Sequence, residues 1–100
     1  MIKLNTNNLN EYSFKLENEK GITLLKSVSF TNKHELNSVV SNLQTLINTP
    51  SKFERKTNNQ GDFLFNLKNE QGKIIGTSNN YNSEAGMENG IKNLKSTFKP

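Results

Sequence analysis

The residues that could do chemistry in this chain are few, and their spacing keeps them apart. His34 is the sole histidine, set between Lys33 and Glu35. Acid–base or metal work by an imidazole needs partner groups beside it, and the sequence offers no cysteine and no second histidine. Without cysteine, thiol nucleophiles, zinc–thiolate sites and disulfides fall away together. Ser27 and Ser78 recur at matching places, each followed three residues later by an aromatic, Phe30 and Tyr81. A serine without a neighbouring base is no nucleophile. Its expected role is to bond a turn while the aromatic packs the corner. No catalytic residue, metal or cofactor is therefore expected, and the chain reads as a non-enzyme.

Binding chemistry is the remaining class. Lys52, Arg55 and Lys56 form one basic group, and Lys92, Lys95 and Lys99 run down the last predicted helix. The formal net charge is +4, divided as +1 over residues 1–50 and +3 over residues 51–100. Such an excess permits contact with nucleic acid without requiring it. Every aromatic falls on an inward strand position or a helix stripe, so no base-stacking platform is expected. Leu25, Leu64 and Ile74 are expected on the sheet face opposite the aromatics, as a protein interface or a dimer seam. Gly86 and Gly90, four apart in the second predicted helix, each cost about 1 kcal/mol relative to Ala. That cost implies close approach of a neighbouring backbone, most simply within the molecule.

These groups are positioned by a duplicated unit. Sliding the sequence by 51 residues aligns the halves without a gap and gives eleven identities, among them Phe14/Phe65, Leu16/Leu67, Gly21/Gly72 and Ser27/Ser78. Glu11–Glu17 alternates polar and apolar, the signature of a strand with one buried face, with Tyr12, Phe14 and Leu16 inward and Phe63, Phe65 and Leu67 repeating them. Gly21 and Gly72 close short polar loops and suit a left-handed backbone. The next strand is expected to place Ile22, Leu24, Val28 and Phe30 on one face, with Ile75 and Tyr81 as counterparts. A shorter first strand is read at Ile2–Leu4 and Phe53–Arg55. Asn32 caps a helix predicted over 33–47, whose stripe is Leu36, Val39, Val40, Leu43, Leu46 and Ile47. Ser83 caps a second over 84–97, with Met87, Ile91, Leu94 and Phe98.

The fold class expected is α+β: two tandem βββα repeats sharing an antiparallel sheet, with one helix per repeat. Residues 1–100 form a single domain, repeat one over 1–49 and repeat two over 52–100, because 31% hydrophobic residues supply one thin core. No apolar run approaches the ~18 residues of a membrane span, and the N-terminus lacks a signal-peptide pattern. A cytoplasmic protein is expected. Asparagine accounts for 18 residues and arginine for one, a balance that reflects an AT-rich coding sequence more than a function.

The second half resembles the repeat unit of the YegP-like family, small bacterial proteins grouped as a domain of unknown function. The residues that carry the resemblance are Phe53, Gly61, Phe63, Phe65, Leu67, Gly72, Ile75, Ser78, Tyr81, Ser83, Gly90 and Ile91. The first half matches in degenerate form, with Phe30 for the tyrosine and Val39-Val40 for Gly-Ile. The resemblance implies tandem units, or two subunits, sharing antiparallel sheet, and implies no activity. Where the family often sets arginine between the strand aromatics, this chain has Leu64 and Asn66.

Three functional readings follow. The first is a binding module that contacts a protein or an RNA–protein complex through Lys52, Arg55, Lys56, Lys92 and Lys95, or through Leu25, Leu64 and Ile74. The second is a self-associating structural protein, a homodimer through its outer faces. The third is a phage or mobile-element inhibitor of a nucleic-acid-guided nuclease, of the anti-CRISPR type, which small size and basic charge would suit.

Overall fold

The computed structural model describes residues 2–6 and 11–98. In chain order the elements are β1 (Ile2–Thr6), β2 (Tyr12–Glu17), β3 (Thr23–Ser27), α1 (Lys33–Ile47), a 3-10 turn at Pro50–Lys52, β4 (Phe53–Thr57), β5 (Phe63–Lys68), β6 (Ile74–Thr77) and α2 (Glu84–Thr97). All pairings are antiparallel in one six-stranded sheet of order β1-β2-β3-β6-β5-β4. The chain is α+β.

Local sequence explains the elements. Gly21, Gly61 and Gly72 stand at φ near +80°, the left-handed region that a side chain disfavours. Each closes a loop opened by an asparagine. Asn18, Asn58 and Asn69 each accept two backbone N–H bonds on Oδ1, at 2.9 to 3.0 Å, from residues two and four ahead. An asparagine side chain that mimics a turn in this way fixes the hairpin register. At the helix starts, the Asn32 side chain accepts from the His34 N–H and the Ser83 side chain from the Gly86 N–H, satisfying donors that a helix leaves orphaned.

Order and register reveal a pseudo-twofold axis. Lys26 pairs with Thr77 where β3 meets β6, and these two occupy the same place in the 51-residue repeat. The axis passes between them, so the strand order reads as a palindrome. Both helices pack on one face and one core serves both halves, with Phe14, Leu16, Phe65 and Leu67 at 0–1% exposure. The helix C-termini meet, the Asn48 Nδ2 donating to the Phe98 carbonyl at 3.2 Å.

Strand β3 departs from the alternation read in the sequence. Leu16 pairs with Leu25 but Glu17 with Thr23, so Leu24 is an extra residue in a bulge. A one-residue slip moves later side chains to the other face. Leu24 and Leu25 are consequently both buried, at 5% and 0% exposure, while Ile22 is 54% exposed. Leu25 is therefore a core residue and cannot serve as an outward interface. Its repeat counterpart is Gly76, and the Leu25 side chain lies where a β-carbon on Gly76 would sit, 2.8 Å from Leu25 Cδ2. The large and small residues interlock at the axis. Copy two carries the same bulge, with Ile75 as the extra, buried residue.

Candidate sites on the two sheet faces

The predicted basic cluster is divided by the sheet. Arg55 pairs with Phe65 and so projects on the helix side, whereas its neighbour Lys56, paired with Leu64, projects on the other. Arg55 meets Glu88 of α2 through two hydrogen bonds, Nε to Oε1 and Nη2 to Oε2, the latter at 3.1 Å. The Glu88 bonds raise the arginine's pKa, and the Arg55 bonds lower that of Glu88. Lys95 lies 5.5 Å from the centroid of the Phe53 ring, a cation–π arrangement. Arg55, Lys92 and Lys95 line one shallow cleft between β4 and α2, with Glu88 among them. Lys52 sits half-buried in the 3-10 turn. The structure thus gathers three of the five cations, and two of those three already have intramolecular partners. Lys99 lies outside the described residues.

Leu64 and Ile74 are half-buried on the uncovered face, paired with Lys56 and Lys68. His34 is exposed at the start of α1. Among the described residues no three His, Cys, Asp or Glu side chains come together as a metal site would require.

The recurrent serines brace the sheet. Ser27 Oγ accepts from the Phe14 N–H at 2.8 Å and donates to the Val28 carbonyl, while Ser78 Oγ accepts from the Phe65 N–H at 2.9 Å and donates to the Asn79 carbonyl. Beyond them Tyr12 bridges to Phe30, and Phe63 to Tyr81. Gly90 exists because of Tyr81: a β-carbon there would collide with the tyrosine hydroxyl and lie 2.6 Å from Cζ. Burial of that ring raises the phenol pKa.

A row of side chains across the uncovered face escapes sequence reasoning. Lys3 pairs with Lys15, Lys15 with Lys26, Lys26 with Thr77, Thr77 with Asn66, and Asn66 with Glu54. The copy-two half is satisfied internally. Thr77 Oγ1 donates to Asn66 Oδ1 at 2.8 Å, Asn66 Nδ2 donates to Glu54 Oε1 at 3.1 Å, and Lys68 pairs with Glu54 at 2.9 Å. The Lys68 and Asn66 bonds hold the Glu54 carboxyl below its usual pKa. The copy-one half carries three lysines, of which Lys3 lies 3.7 Å from Glu17. Lys3/Glu17 and Glu54/Lys68 are the same two positions with their charges exchanged. The signal was present, since Lys3, Lys15 and Lys26 all hold outward strand positions, but only the register lines them up.

The fold and its faces define a small pseudosymmetric α+β domain built of two sheet-sharing units. The model for "Domain of unknown function (DUF1508)" matches residues 58–98. The UPF0339 protein YegP of Escherichia coli strain K12 is 31% identical over 86% of this chain and 78% of its own. The UPF0339 protein encoded in the 5′ region of the ptx operon of Stutzerimonas stutzeri is 31% identical over 85% and 77%. The solution NMR structures of the Shewanella oneidensis UPF0339 protein and of E. coli yegP each cover 99% of the chain at TM-score 0.91, with 27% and 28% identity and 84% and 85% of their own chains matched. The chain belongs to the YegP-like UPF0339 family, whose function is unknown.

Proposed function

We propose that this protein is a non-enzymatic module that binds a macromolecular partner through the uncovered face of its sheet. One observation carries the reading. Both helices lie on one side of six strands, and the other side presents lysines in register in copy one and the half-buried Leu64 and Ile74 in copy two. The cleft on the helix side is a weaker candidate, because its Arg55 is held by Glu88.

Site-specific photo-crosslinking in the native host tests this. A benzophenone side chain at Asn5 or Lys56, exposed on the open face, is expected to give discrete adducts. The same probe at Ser41 or Asn89, exposed on the helices, is expected to give none. Adducts from the helix positions alone would overturn the assignment.

Self-association is a second reading favoured by a different observation. Edge strand β1 turns Ile2 and Leu4 toward the helix side yet leaves them 36% and 56% exposed, and an edge with open hydrogen-bonding groups is a template for another strand. Sedimentation at rising concentration, with Leu4→Lys as the comparison, decides it: a monomer throughout removes this reading.

A further inference from the structure

We infer that the lysine row Lys3–Lys15–Lys26 is a binding site for the phosphodiester backbone of single-stranded nucleic acid. The inference rests on the open-face reading above and names its partner.

Three lysines paired directly opposite one another on adjacent strands repel, eased at Lys3 by Glu17, and like charges so placed destabilise a sheet. Adjacent strands lie about 4.8 Å apart, so the row carries three positive charges over about 10 Å. Among the described residues the ion pairs are Lys3–Glu17, Arg55–Glu88 and Lys68–Glu54, which leaves the facing Lys15 and Lys26 without a carboxylate. The repeat supplies an internal control. The same three positions in copy two hold Glu54, Asn66 and Thr77, a self-satisfied chain of hydrogen bonds. The backbone therefore tolerates a neutral solution, and copy one keeps an unfavourable one.

Charge complementarity selects the occupant. The row runs across the strands on the face without helices, with Lys3 and Lys26 exposed and Lys15 half-buried. A ligand crossing three strands must bring regularly spaced single negative charges, as consecutive phosphodiesters do. An added β-strand would run parallel to the existing ones and pair at an edge instead. A lipid surface would be met by apolar groups interleaved with the lysines, yet Leu64 and Ile74 lie in copy two. No aromatic stands on the row, so binding is by backbone charge and indifferent to sequence.

The test is fluorescence anisotropy with a labelled twenty-residue oligo(dT) and oligo(U) at 50 and 200 mM salt, using the full chain. Three contacts at a slope of about 0.7 each per log unit of salt weaken binding roughly 15- to 20-fold between these conditions. Lys3→Gln/Lys15→Gln/Lys26→Gln is expected to abolish binding while keeping the wild-type circular dichroism spectrum, the lost Lys3–Glu17 pair being set against the repulsion removed. Lys92→Gln/Lys95→Gln is expected to bind as wild type. Loss in the helix variant with retention in the sheet variant overturns the site. Binding to anionic vesicles or polyglutamate but to neither oligonucleotide overturns the partner. Silence toward both oligonucleotides at low salt, with open-face crosslinks still forming, sinks this inference and leaves the binding-module reading standing. Absence of those crosslinks sinks that reading as well.

Discussion

The two repeats share a backbone to the level of register, and differ in how side chains complete it. β1 pairs with β2 through five residue pairs and β4 with β5 through the five equivalent ones. The serine brace, the bulge in the third strand and the glycine-closed loop all recur. The contents diverge in matched sets. Where copy two has Tyr81 against Gly90, copy one has Phe30 and Val39 at the matching positions, a ring without the hydroxyl and a branched side chain together. Where copy two buries Phe53 and ties Arg55 to Glu88, copy one leaves Ile2 and Leu4 exposed. Positions in contact change together, whereas the loop-closing Gly21/Gly72 and the bracing Ser27/Ser78 stay fixed.

The largest effect should test whether the halves are energetically separate at all. Phe65→Ala and Phe14→Ala each remove a ring at 0–1% exposure from one shared core, at a cost of about 3–5 kcal/mol apiece. Each is expected to lower the melting temperature of the whole molecule in a single transition, seen identically by near- and far-ultraviolet circular dichroism. Two transitions, with only the mutated half lost, would show that the repeats fold independently.

A smaller effect isolates one matched set. Gly90→Val forces the Tyr81 ring aside and should cost about 1–3 kcal/mol by overpacking. Adding Tyr81→Phe brings in the copy-one residue pair and removes the nearer clash, with the hydroxyl, leaving that with Cζ. Urea denaturation of the double-mutant cycle is expected to show a coupling of about 1 kcal/mol or more in the restoring direction. Simple additivity would mean that the Phe30/Val39 pairing compensates nothing.

The smallest effect concerns charge. Glu54 and Glu88 both have carboxyl pKa values below the ordinary 4.5, the first through Lys68 and Asn66, the second through Arg55. A carboxyl lowered on folding contributes stability above its unfolded pKa and loses it as pH falls through the folded one. Glu88→Gln and Glu54→Gln should thus each be slightly less stable than wild type at pH 7, with the gap closing in acid below the usual carboxylate range. Urea midpoints at pH 7 and in acid give the measurement. A gap that persists or widens there would remove the ion pairs as its cause.

Much of this was legible because it is local. Leu36, Leu43 and Ile47 at helical spacing, Asn32 and Ser83 as caps, and Gly21 and Gly72 as left-handed closers each act within a few residues, so spacing alone reveals them. The duplication did the rest, confirming each element twice. What stayed hidden depends on pairing between distant residues. Nothing in Thr23-Leu24-Leu25-Lys26 says that Leu24 is bulged, so Leu25 looked outward when it is buried. The partner of Arg55 lies 33 residues away on α2. The lysines at 3, 15 and 26 form a line only once two hairpin registers are known.

The seam at the pseudo-twofold axis has a thermal consequence. β3 and β6 share two register pairs, Lys26 with Thr77 and Ser27 with Gly76, where each outer hairpin has five. Cohesion between the halves therefore comes less from the hydrogen-bonded ladder than from apolar burial, Leu25 seated over Gly76 and the helices above a common core. Apolar burial weakens on cooling, and the outer hairpins depend on the same core through Phe14, Leu16, Phe65 and Leu67. Chilled far enough, the molecule should lose its seam and its sheet together, in one cold transition.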